Sequence, residues 1–135
     1  MSVIHSAILK HLQADSSVTT LVGERIYPGL APEGMDKPYI TVNAYGGIKA
    51  DLTYGPTISD LAGQYLVRAT VQNSSPATAS TINAAVQASL HNANLTITGM
   101  TTQACLLNML VEAYAEQDAG RVFWHEGSIF EVMAT

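Results

Sequence analysis

Four histidines, one cysteine and a few carboxylates are the side chains of this 135-residue sequence best suited to chemistry. His5 and His11 lie six residues apart. On a helix they face directions about 120° apart, not one shared side. His91 and His125 stand far from both, and no pair has the four-residue spacing of a helical metal site. No metal or other cofactor is expected. Cys105 sits between Ala104 and Leu106, an apolar setting that raises a thiol's pKa and leaves it unreactive. Glu112, Glu116 and Asp118 form one acidic group, and Glu33 with Asp36 another. Such groups do acid–base work only in a pocket that separates their pKa values, and a solvated acidic corner is the plainer reading. The adjacent His125 and Glu126 are the remaining pair from which a small hydrolase or ligand-binding domain could be built. No Gly-x-Ser-x-Gly elbow is present, and the glycines at Gly46, Gly47 and Gly55 lack the Lys-Ser/Thr of a phosphate loop. No catalytic residue is therefore assigned.

Composition narrows the field further. A chain of this length fits one domain, residues 1–135. Charged residues make up only 13%, about half the usual share. A surface so poor in Lys, Glu and Asp is expected to be covered in part by a partner. The net charge is −5 and the six basic residues are scattered, so tight binding to a phosphate backbone is not expected. One cysteine allows no internal disulfide. No basic region precedes an apolar run near the start and no apolar run approaches 18 residues, so neither an export signal nor a membrane span is expected.

The elements that must position these residues read as α+β. Ile4, Ile8 and Leu12 mark one face of a helix over Ser2–Ala14. Asp15-Ser16-Ser17 can cap a short second helical turn that Gly23 stops. Ile40, Val42 and Ala44 alternate with Tyr39, Thr41 and Asn43, predicting a strand over Tyr39–Tyr45. Residues 46–60 hold Gly46, Gly47, Gly55 and Pro56, too many breakers for a tight turn, and predict a long projecting loop or β-arm. Gln64–Gln72 alternates most regularly, with Tyr65, Val67, Ala69 and Val71 on one face. Ser75-Pro76 opens a second main helix, Pro76–Leu90. Short strands follow at Leu95–Thr98 and Thr101–Leu107, and a closing strand at Arg121–Met133. Residues 109–119 fit helix or strand equally well. The expected architecture is a mainly antiparallel sheet packed by two helices.

Joining the helical beginning to the β-rich remainder is the run Arg25-Ile26-Tyr27-Pro28, with Pro38-Tyr39-Ile40-Thr41-Val42 beyond a polar crossing. Proline biases Tyr27 and Lys37 to extended backbone. Preceded by His5–Lys10 and Leu21-Val22-Gly23-Glu24, this run resembles the small tail completion proteins of long-tailed bacteriophages and prophages, of the tail-to-head joining or tail terminator type. The resemblance is best over residues 5–45. It continues as a pattern through Tyr65–Gln72 and the helix at 76–91. Over 100–120, Leu106, Leu107, Met109, Leu110 and Val111 depart from it. It implies a non-enzymatic virion component that assembles as a homo-oligomeric ring of six at the head-proximal end of the tail. Such a ring caps the tail tube protein and docks to the head–tail connector protein, and DNA passes through its lumen without specific binding. Another neck, connector or minor tail protein is the alternative within phage assembly. The virion is the expected location, after assembly in the host cytoplasm, with no membrane partner. Gly46, Gly47, Lys49, Asp51 and Tyr54, with the outward face of the terminal strands, are the expected interaction surface. The acidic balance would repel DNA from the ring's inner wall, unless Lys49, Arg68 and Arg121 line it.

Overall fold

The computed structural model of the chain describes residues 2–34, 37–47, 49–52, 58–72 and 75–135. Its first helix, α1, spans Val3–Ala14 and buries Ile4, Ala7, Ile8, Leu9 and Leu12. Ser2 caps it, its hydroxyl accepting from the His5 amide at 3.1 Å. Asp15 ends α1 and starts α2, Ser16–Val22, by accepting from the Ser17 amide at 2.9 Å. Gly23 follows with φ +63°, a value glycine adopts without a Cβ penalty. The packing set is completed by the longer α3, Pro76–Leu90, so the two expected main helices are joined by the short α2.

The sheet is mixed. Its order is β1 (Ile26–Pro28), β2 (Tyr39–Ala44), β4 (Ile58–Gln72), β7 (Arg121–Ala134), β6 (Met100–Asp118) and β5 (Thr96–Ile97), while β3 (Lys49–Leu52) pairs with the first part of β4. β1 runs parallel to β2, with Ile26 opposite Ile40. The other pairs are antiparallel. Arg25 ties the parallel corner, its Nε donating to the Pro38 carbonyl at 2.8 Å. The Lys37–Pro38 bond is cis.

Two stretches differ from the sequence expectation. The fourth strand begins at Ile58, not Gln64, because Lys49–Leu52 gives its extension a pairing partner. The 46–60 segment thus contains a strand, and residues 53–57 lie outside those described. Of the undecided 109–119 segment, residues 109–118 are strand, continuous with 100–108. Helical spacing loses there because β7 offers a partner along its whole length, from Thr102↔Ala134 to Asp118↔Arg121. Ala119 and Gly120 make the connecting turn at φ +50° and +77°, the twist that suits a two-residue hairpin.

The three helices pack one face of the sheet. Ile40, Val42, Tyr65, Val67, Ala69, Val71, Phe130 and Val132 point into that core against α1 and α3. Tyr65 is fully buried, and its hydroxyl lies 2.8 Å from the Ser2 hydroxyl. Phe130 is also fully buried, whereas Leu110 is 56% exposed. Truncating a buried phenylalanine costs about 3–5 kcal/mol, and a surface substitution stays within about 0.5 kcal/mol. Urea unfolding should therefore show Phe130→Ala strongly destabilised and Leu110→Ala close to the parent; equal losses would contradict this placement of the core.

Candidate functional site

The histidines first considered for chemistry are engaged in packing contacts. His5 Nε2 donates to the Val42 carbonyl at 2.7 Å, and His11 Nε2 to the Ser89 carbonyl at 2.9 Å. His91 Nδ1 accepts from the Leu107 amide at 3.0 Å. Each joins a helix or its cap to another element. Among the described residues no group of three His, Cys, Asp or Glu side chains could hold a metal ion. Cys105 is buried, and burial pushes its thiol up to about 11, far from the thiolate a nucleophile needs. Three grooves on the described surface are lined by none of the His, Asp or Glu side chains.

His125 and Glu126, the remaining hydrolytic pair, face opposite sides of β7. Glu126 accepts from the Ser80 hydroxyl of α3 at 2.8 Å. His125 points to the face away from the helices, where Nδ1 lies 2.9 Å from Thr70 Oγ1. The two cannot act on one substrate atom. Glu112 and Glu116, read as spaced for a helix, lie on β6.

A polar cluster gathers instead on the helix-free face. The His125 ring lies 5.0 Å from the Tyr114 ring at an interplanar angle of 32°. Arg68 Nη1 donates to the Tyr114 hydroxyl at 3.2 Å. Glu116 Oε2 stands 3.6 Å from His125 Nε2. Gly127 makes the close approach possible, since a Cβ there would sit 3.0 Å from Leu66 Cδ1 and from the Val67 carbonyl oxygen. The glycine that weakens this strand on paper makes room for Leu66 beside it. The cluster links β4, β7 and β6 across the sheet. Its residues, 68, 70, 114, 116 and 125, are scattered through the sequence, and no motif could have announced them.

Beyond the cluster, β6 is exposed and apolar. Leu106, Met109, Leu110 and Tyr114 are exposed large side chains, as is Met133 on β7. Residues 100–111 contain no charged residue. Of the expected interaction residues, Gly46 and Gly47 border open space, Lys49 and Asp51 belong to β3, and Tyr54 lies outside the described residues. The exposed β6 run is the surface that sequence reasoning left undecided. Its signal was the uncharged Leu-Leu-Asn-Met-Leu-Val string, which by composition reads equally well as core.

The comparisons with known proteins agree with a structural surface. The family described as tail completion protein gp17 matches residues 6–122, and the chain belongs to that family. It is a structural protein of the bacteriophage tail and a virion component. A chain of the virion of a native gene transfer agent particle superposes with a TM-score of 0.72 at 18% identity, covering 97% of this chain and 93% of its own. A second solved protein superposes with a TM-score of 0.58 at 10% identity, covering 96% and 93%. At those identities both show likeness of fold. No curated protein matches the sequence.

The cluster has a pH signature. Burial first, and the Arg68 cation second, lower the His125 pKa below the usual histidine value, against the opposing pull of Glu116. A histidine with a depressed folded pKa binds protons more readily when unfolded. Its contribution is present above the unfolded value of about 6.5 and fades as pH falls through that value toward the folded one. Urea midpoints should therefore drop between pH 7.5 and pH 5.5 in the parent, and drop less in His125→Asn. An unchanged slope in the variant would remove His125 as the cause.

Proposed function

We propose that the chain is the tail completion, tail-to-head joining subunit that forms a ring, of six copies, on the head-proximal end of the phage tail tube. In this role it caps the tube, presents a docking surface to the head connector, and leaves a lumen for DNA. The observation that carries the reading is the family match over residues 6–122. His5, His11 and His91 are engaged in packing contacts, which suits a part that works by binding.

The charge pattern supports the same role. A net charge of −5 per copy repels DNA over a ring of several copies, so the nucleic acid can slide past. The scarcity of surface charge suits lateral contact between subunits.

Removing the gene from a phage that carries it should give DNA-filled heads and separate tails, with few joined particles by electron microscopy. Supplying the intact chain should restore joining. Joined, infectious particles in normal number without the gene would overturn the reading. A joining defect without rings in purified or tail-bound protein would remove the ring and keep the role.

A further inference from the structure

β6 is the last long strand on its side of the sheet. β5 pairs only with Met100 and Thr101, and the 91–92 segment then engages the Cys105 carbonyl and the Leu107 amide, so among the described residues the outer edge of β6 has no partner beyond Leu107. An open edge of this kind presents a row of N–H and C=O groups whose complement is another strand. Folded proteins usually protect it with charge or proline. Residues 100–111 contain neither.

The exposed apolar side chains lie on both faces of this edge. Met109 stands opposite Ile129 and Leu110 opposite Ser128, and those two β7 positions face opposite sides of the sheet. Both side chains are more than half exposed. A partner lying flat on the sheet would cover only one of them. A strand arriving edge-on would satisfy the backbone and bring side chains against both.

The nature of that strand follows from the rest of the sheet. Parallel, in-register pairing of two β6 strands would stack Glu112, Glu116 and Asp118 on their own copies, which like-charge repulsion opposes. Antiparallel pairing of two β6 strands would close a two-fold pair and leave the far edge of the sheet unused. On that side the strand order ends in β1, which has three residues and ends in Pro28, while β3, off that order, pairs among the described residues with β4 alone. β3 also brings Lys49 to a strand whose far half carries Glu112, Glu116 and Asp118. Joining two different edges of one sheet is a head-to-tail contact, and such contacts propagate until rotation closes a ring.

We propose that the open edge of β6, over Asn108–Val111, pairs with β3 of a second copy, so that the sheet runs on from copy to copy. This rests on the ring reading above and supplies its lateral contact.

The purified chain tests it directly. At the concentration where oligomers form, amides of Asn108–Val111 that exchange freely in the monomer should become protected. Met109→Lys with Leu110→Lys should abolish the oligomer, while circular dichroism stays as in the parent. Oxidation of the Ala50→Cys, Leu110→Cys double variant should give a ladder of covalent dimers, trimers and higher species. Leu110→Cys alone should stay monomeric under the same conditions. Dimers from Leu110→Cys alone would show β6 pairing with itself and overturn the proposal. An oligomer with freely exchanging β6 amides would also overturn it, as would a monomer up to the solubility limit, and either leaves the tail-joining role standing. If pairing is seen but phage lacking the gene assemble normally, the role fails and the contact stands.

Discussion

The ladder between β4 and β7 is the constraint on which the rest of the structure depends. Twelve consecutive pairs, from Leu61↔Ala134 to Gln72↔Phe123, run without a register shift. With a side-chain period of two, a slip of one residue would exchange the two faces along the whole ladder. Tyr65, Val67, Phe130 and Val132 would leave the core, and Arg68 and His125 would enter it. The ladder therefore decides which face receives helices and which receives the polar cluster. It also gives β6 a straight partner on which to extend past the helices.

Both faces reinforce this register by different means. On the helix side, Asn83 and Gln87 of α3 reach the β7 backbone and Ser128: Ser128 Oγ donates to Asn83 Oδ1 at 2.7 Å and accepts from Gln87 Nε2 at 3.2 Å. A buried serine left without partners would cost about 1–3 kcal/mol, so these bonds penalise any displacement of α3 along the sheet. On the other side, Thr70 and His125 face each other as a directly opposed pair, and Gly127 accepts the close approach of β4. Specific polar contacts at defined positions add register information that apolar burial alone would not supply.

Legibility in the sequence followed the range of the interaction that decides each element. Helices α1 and α3 were readable because Ile4, Ile8 and Leu12, or Ala79, Ile82, Val86 and Leu90, repeat at helical spacing and are buried together. The Gln64–Gln72 part of β4 was readable from strict alternation. The parallel β1–β2 pair was not, since a three-residue strand has no pattern of its own and exists through Ile40 and the Arg25–Pro38 bond. The 109–119 segment was undecidable locally because its state is set by β7. Of the expected interaction residues, Lys49 and Asp51 lie on a strand, β3; the exposed run on β6 and the His125 cluster were not legible. Those depend on which strand finishes the sheet and on residues up to 57 positions apart, from Arg68 to His125.

The shape of β6 bears on what kind of assembly such an edge permits. Its 17 residues from Thr102 to Asp118 face 14 on β7, and the difference is absorbed in register shifts at 102–104, 107–109 and 111–114. Each shift bends the strand and raises its twist. A flat, unbulged edge of equal apolarity would favour open-ended stacking of identical strands. A repeatedly bent edge cannot lie flush against copies of itself over its whole length. The bulges therefore oppose indefinite sheet growth through β6 self-pairing. Curvature imposed at every junction in the same sense turns a growing sheet back on itself, which is the condition for closure and not for a fibre.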